Sequence, residues 1–349
     1  MDVDNSNMIM WPYQMRLNLR SIIIYWVLLV VGVIWSCQTE AQLQRIVIGT
    51  NPSGTNYFLI ASGIAKVLQS ETQIPSTVRP FSGSSVYIPM LQRGEIPLGI
   101  NTQLDTYVSY SGLDPYPIQM TNLRLLAALM PLLDNFLVRE NSGIETVSDL
   151  EGMRVVTAIR SNVALERWHL ALLATGGVSP DGIEALTVAS LPDGIRMLIE
   201  GRTDATAIGL DTGLARQADA TIPGGVRFVS IGSDYSKLVD ALPGSSAHTA
   251  GTESVGIHTS TKVGRFDTYL NTGTHISDAD AYLIVKTIYE NWEMLQSDYV
   301  LLQNISVDML VPSNNPNPYH PGAIKYWREV GVWTSEHEKN QTHLLMRLN

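Results

Sequence analysis

Gln92-Arg93-Gly94-Glu95-Ile96-Pro97-Leu98-Gly99-Ile100 and Ile199-Glu200-Gly201-Arg202-Thr203-Asp204-Ala205 share one grammar. In the first, a helix running through Met90 and Leu91 stops at Gly94, a residue suited to the left-handed cap of a helix, and the chain turns into a strand over 96–100. In the second, a helix over 195–200 stops at Gly201 and a buried strand follows over 204–209. The two passages read as equivalent steps of two related halves, which makes the chain an α/β protein with two lobes.

The flanking sequence extends both halves. Arg45 to Thr50 is a β-branched strand, Asn51 to Thr55 is a turn, and Tyr57 to Leu68 places Ile60, Ile64 and Leu68 on one helical face. Val78 to Phe81 then leads into Ser82-Gly83-Ser84-Ser85 and a second helix. The other half contains a strand over 154–158, a helix over 162–175 and a strand over 226–231. Between the halves, 123–130 and 132–138 are long apolar stretches without helix caps, suited to strands that cross from one lobe to the other; 263–271 is the matching return. Ser277 is a helix N-cap, with Asp278 and Asp280 in the first turn and a helical run over 282–295. Because the late segment returns to the first lobe, the lobes are expected to be discontinuous. They comprise 42–134 plus 263–349, and 135–262, joined by a hinge of two crossings.

The first forty residues read differently. Arg16 and Arg20 precede an apolar run from Ile22 to Trp35, the length of an export-signal core and short for a bilayer span. Thr39-Glu40-Ala41 offers a cleavage site after residue 41, and Ile34-Trp35-Ser36-Cys37 a competing lipid-attachment site. An uncleaved membrane anchor is the remaining alternative, and all three place the body of the chain outside the cytoplasm. Cys37 is the single cysteine, so the body beyond it has neither disulfide nor thiolate chemistry. The formal charge is −10, of which Asp2, Asp4 and Glu40 against Arg16 and Arg20 leave −9 beyond residue 41. An acidic chain without a basic stripe argues against nucleic acid as a partner. The seven histidines show no metal-ligand spacing, and no nucleophile elbow, phosphate loop or dinucleotide fingerprint occurs, so no metal or cofactor is expected.

In open α/β sheets, ligands collect beyond the carboxyl ends of the strands, where helix N-termini present unpaired N–H groups. Three loops have that address: Asn51 to Tyr57, Ser82 to Ser85, and Ile159 to Asn162. Their small and hydroxyl side chains either cap the helices that follow or wrap a ligand. Arg160 is the one cation among them, able to pair with a carboxylate or to serve in an internal ion pair. Gln103 could hydrogen-bond an amide or hydroxyl. Asp105 reads either as an acceptor for an ammonium group or as a first-turn acid favoured by the helix dipole.

These residues resemble the TAXI family of substrate-binding proteins of TRAP (tripartite ATP-independent periplasmic) transporters. Ile46-Val47-Ile48-Gly49-Thr50-Asn51-Pro52-Ser53-Gly54-Thr55-Asn56-Tyr57 is similar to the family's opening strand and its Gly-Gly-Thr-Tyr-Tyr loop. Phe81-Ser82-Gly83-Ser84-Ser85-Val86 resembles its Thr-Gly-Gly-Ser-Val step, and Gly94-Glu95-Ile96-Pro97-Leu98-Gly99 its Gly-Glu-x-Asp-Leu-Gly segment. Val147 to Val155 and the run His320-Pro321-Gly322-Ala323-Ile324-Lys325-Tyr326-Trp327-Arg328-Glu329-Val330-Gly331 complete the likeness; Pro321 and Gly322 fit a turn into a last helix. Asn56, Ser84, Tyr87, Ile88 and Arg160 depart from the family pattern.

The resemblance implies a type II periplasmic-binding-protein fold and a periplasmic, monomeric receptor that closes on a small carboxylate (glutamate, glutamine, a 2-oxo acid or a dicarboxylate) and docks on integral-membrane TRAP permease subunits. The loops beyond the strand ends give the expected ligand-binding set: Ser53, Gly54, Thr55, Tyr57, Ser84, Ser85 and Gln103 from the first lobe, with Arg160, Ser161 and Asn162 from the second. No catalytic residue is implied. A sensor that docks on a signalling partner, and a hydrolase that joins a Ser and a His across the cleft, are the rival readings.

Overall fold

The computed structural model describes residues 43–347, so the export segment and Cys37 lie outside the described residues. The first half begins with β1 (Ile46–Thr50), α1 (Asn56–Thr72), β2 (Ser76–Pro80), α2 (Ser84–Gln92), β3 (Leu98–Thr102) and α3 (Gln103–Ser111). A 17-residue strand, β4 (Leu123–Arg139), follows. The second half repeats the pattern with β5 (Arg154–Ile159), α4 (Leu165–Ala174), β6 (Glu184–Val188), α5 (Leu191–Ile199), β7 (Ala205–Gly209) and α6 (Gly213–Thr221). It continues through β8 (Val226–Phe228), α7 (Ser236–Ala241) and β9 (Ser246–Ala250). The chain then returns along β10 (Thr261–Gly273) to α8 (Asp278–Glu290), α9 (Trp292–Asp298), α10 (Pro321–Glu329) and α11 (Ser335–Met346).

The sheet order makes the repeat explicit: β2-β1-β3-β10-β4-β7-β5-β6. β1 pairs parallel with β2 and β3, as β5 does with β6 and β7. β3 meets β10 antiparallel and β7 meets β4 antiparallel. The two glycines that announced the repeat adopt the same left-handed conformation, φ 72° at Gly94 and 71° at Gly201, a region open to glycine because it has no Cβ.

β4 and β10 run antiparallel to each other from Leu123↔Gly273 to Asp134↔Gly264, and each continues to pair on both sides. The two apolar stretches expected as separate strands are thus one strand running through Pro131, which lacks an N–H for the ladder. The ladder shifts register between Thr268 and Tyr269, beside that gap.

Four expected elements differ in extent. The helix after Asn162 starts at Leu165, because the polar groups of residues 161–163 are bonded to the first half (Ser85 N–H to Ser161 O, Asn162 Nδ2 to Ser84, and Val163 N–H to Ser85 Oγ). The strand at 226–231 ends at Phe228; Val229, Ser230 and Ile231 instead donate to the carbonyls of Phe136, Glu145 and Lys262. The run at 282–295 is two helices, parted at Asn291 (φ −109°, ψ 16°). α10 does start at Pro321, with buried His320 accepting from Gly322 N–H, but it is the penultimate helix, since α11 follows. Among the described residues no helix is long and apolar enough to cross a membrane.

Candidate functional site

The carboxyl ends of β1, β3, β5 and β7 converge on a partly open cavity of ≈ 30 Å³. One water needs about 10–15 Å³ of such space, so the cavity holds roughly two waters. The first half contributes a polar wall of Asn51, Thr55, Asn56, Tyr57, Thr102 and Asp105. The second contributes Asn162, Leu165, Leu191, Ile208, Gly209 and Thr212, and β4 adds Leu132 and Asp134.

Two acids dominate the electrostatics. Asp105 is the third residue of α3 and closes a capping box with Thr102: its Oδ2 accepts from Thr102 N–H (3.2 Å) and Thr102 Oγ1 (2.8 Å) while its own N–H donates to Thr102 Oγ1. Ser84 Oγ donates to Oδ1 at 2.7 Å. Burial raises the Asp105 carboxyl above the ordinary range, and the Ser84 and Thr102 hydrogen bonds pull part of the way back.

Asp134 has no such support. It is 4% exposed, and its Oδ2 has no hydrogen-bond partner. Burial pushes it up to about 7, with the Trp168 indole N–H beside it acting in the other direction. That N–H is itself unpaired. The Trp168 ring lies over β10 at Gly264, where a Cβ would come within 2.4 Å of it, and edge-on to Phe266. Tyr57 lies under the influence of both acids, which together with burial hold its hydroxyl protonated. Among the described residues no Lys, Arg or His lines the cavity.

The rims of the two halves touch. Asn162 Nδ2 donates to Ser84 Oγ at 3.0 Å and to Asn51 Oδ1 at 3.3 Å. Ser85 N–H donates to Ser161 O at 3.0 Å, and Val163 N–H to Ser85 Oγ at 2.9 Å. Asn56 Nδ2 reaches Leu210 O at 3.3 Å. The approach is closest at Gly83, where an added Cβ would lie 2.1 Å from Ser161 O and 2.2 Å from Asn162 Oδ1. No ordinary contact is that short, so only glycine permits this closure.

The residues expected from sequence divide three ways. Thr55, Tyr57 and Asn162 line the cavity. Ser84, Ser85 and Ser161 form the rim contacts, and Gln103 spans the same seam, donating to Pro243 O at 3.1 Å and accepting from Asp267 N–H at 3.3 Å. Ser53, Gly54 and Arg160 are exposed and outside the lining; Arg160 makes only a backbone bond, to Val188 O. Its loop turns the guanidinium to solvent rather than into the cleft.

Asn51, Asn56, Thr102, Asp134 and Thr212 were not among the expected ligand residues. Thr212 was reachable by carrying the repeat one step on, since Thr102 and Thr212 cap α3 and α6 in the same way, each accepting from the N–H three residues later. Asp134 carried a signal too, as the one acid in a run from Leu125 to Val138 whose only other polar residue is Asn135.

The sequence model of the NMT1-like family matches residues 48–331, which include every strand but the first two residues of β1 and every helix but the last. The chain belongs to the NMT1-like family. Among solved structures, this NMT1-like protein is similar to the alkanesulfonate-binding protein SsuA from Xanthomonas axonopodis pv. citri bound to MOPS, at 18% identity over 87% of this chain and 85% of that one, with a TM-score of 0.51. It also matches the amino acid ABC transporter substrate-binding protein AbpA from Streptococcus pneumoniae bound to L-arginine, at 12% identity over 75% and 94% of the two chains, with a TM-score of 0.48. The first likeness establishes the fold of the NMT1-like chain as the type II periplasmic-binding fold.

Proposed function

We propose that this chain is an extracytoplasmic solute receptor. In this reading 42–134 plus 263–349 and 135–262 are two lobes that close on a small organic acid, such as an amino acid, a 2-oxo acid or a dicarboxylate, and present it to a membrane permease. The resemblance of the strand and tail segments to TAXI proteins supports a permease of the TRAP type.

The observation that carries the reading is the seam itself: polar groups of the two halves meet at the cavity and its rim, through Asn162 to Ser84 and Asn51, Ser85 to Val163 N–H, and Asn56 to Leu210 O. Contacts available in only one arrangement of two bodies give a solute leverage over the balance between open and closed forms. The cavity requires no covalent step for this task. Side chains that face a small solute on several sides have the form expected of a binding cleft.

A thermal-shift screen of the full-length chain against amino acids, 2-oxo acids, dicarboxylates and neutral sugars tests the proposal. A rise in melting temperature with one class of small solute is expected. No rise with any of them, at millimolar concentration, would sink the receptor reading.

A further inference from the structure

We propose that the group of the solute admitted to the cavity is an ammonium, held by Asp134 as its counter-ion with Tyr57 and Asp105 beside it. This rests on the receptor reading and narrows it: amino acids and amines are selected over the 2-oxo acids and dicarboxylates of similar shape.

The argument starts from Asp134. A carboxyl this deeply buried ordinarily accepts hydrogen bonds or meets a cation, because burying the charge alone is costly. Asp134 Oδ2 has no partner, and its residue lines the cavity. The neighbouring strands crowd it without supplying one: its ladder partners are Gly209 on β7 and Gly264 on β10, neither with a side chain. Tyr57 and the Trp168 indole N–H interact with it and Asp105 lines the same cavity, and none of these groups is cationic.

The space has the dimensions of a head group. At ≈ 30 Å³ it accepts about the volume of an ammonium and little more. A carboxylate placed there would meet two acids and no lysine, arginine or histidine among the described lining residues. The exposed Arg160 does not reach it. Like charges in a shared buried site oppose one another, whereas an ammonium satisfies the free oxygen and offsets both acids.

The test uses the full-length chain and matched pairs that exchange an amine for a ketone on one skeleton: L-glutamate against 2-oxoglutarate, and L-alanine against pyruvate, with putrescine against butane-1,4-diol as the amine lacking a carboxylate. Calorimetry in phosphate and in HEPES, neither of them a primary amine, at pH 7 reads both affinity and proton exchange. At least one amine is expected to bind 30-fold or more tightly than its partner and to release roughly half a proton, as Asp134, held near pH 7, gives up its share to an incoming cation.

Asp134→Asn, equal in size and uncharged, should abolish both the preference and the release. Proton release in the unaltered chain is a second readout that does not depend on how the variant folds. Equal affinity within each pair, proton uptake, or a preference that survives Asp134→Asn would overturn the ammonium assignment while leaving a receptor in place. No binding by any member would overturn both.

Discussion

The two walls of the cavity are built by the same βαβαβ grammar and differ in chemistry. The first half presents hydroxyls, amides and a carboxyl; the second presents Leu165, Leu191 and Ile208 with only Asn162 and Thr212 as polar side chains. The contrast is sharpest at the paired helix starts, because Thr102 caps α3 above Asp105 while Thr212 caps α6 above Ala215. A repeat preserves the address of a site without preserving its reagents. One wall can then orient a polar solute while the other excludes water from it, which strengthens every polar contact on the first.

The largest test removes the charge that both walls face. Asp134, raised from 3.8 to about 7, favours the folded state when protonated; that contribution is complete below about pH 4 and is lost as pH rises through 7. His169, fully buried with Nδ1 at 2.7 Å from Thr157 O, is pushed down from 6.5 to about 4, so its contribution is present above 6.5 and lost as pH falls through 4. The two trends oppose across pH 4 to 6.5. Asp134→Asn should therefore add up to about 4 kcal/mol of stability at pH 8, from roughly three pKa units at 1.36 kcal/mol each, and almost none at pH 4. Denaturant unfolding at both pH values measures it, and equal gains at the two would contradict the buried carboxyl.

Next comes closure. Gly83 is extended (φ 171°, ψ 172°), a backbone that alanine also adopts, so Gly83→Ala should leave each wall folded and hold the rims apart. Solute affinity is expected to fall at least about 100-fold, or about 3 kcal/mol, with a larger radius of gyration in the presence of solute. Unchanged affinity would mean that the rims need not touch.

Asp105→Ala breaks the capping box and strands the Ser84 hydroxyl and the Thr102 N–H, at a cost of about 2 kcal/mol in thermal unfolding. Asn162→Ala loses two bonds across the seam and should weaken solute binding about 5- to 10-fold with little change in melting temperature. Arg160→Ala, exposed and off the cavity, should alter the dissociation constant less than twofold; a loss above tenfold would return Arg160 to the site.

How much of this the sequence disclosed follows from what kind of physics each feature uses. The repeat was legible because a helix stop needs glycine in a left-handed turn, a requirement written in one residue at Gly94 and again at Gly201. The crossing strand over 123–138 was legible because burial on both faces leaves a predominantly apolar run, interrupted only by Arg124 and by Asp134 with Asn135. The cavity was not: Asp134 stands out in its run, yet alternation along a strand says which face a side chain takes and not that this face meets a void. The place of Arg160, exposed and outside the lining, was not legible for a related reason, since the direction of a loop side chain depends on the whole turn, and here residues 161–163 are committed across the seam. The side-chain contacts at the rim join residues 78, 111 and 154 positions apart, beyond the reach of any local pattern.

The paired crossings, β4 and β10, carry a mechanical consequence. Two hydrogen-bonded strands cannot swivel as two loose threads would; they flex together like a leaf spring, softest where Pro131 leaves the ladder open beside the register shift at Thr268. Parting the rims then stores elastic work in the ribbon, and solute affinity includes the recoil as well as the contacts in the cavity. In the proposed receptor, substitutions at Pro131 would tune solute affinity from a place outside the cavity lining.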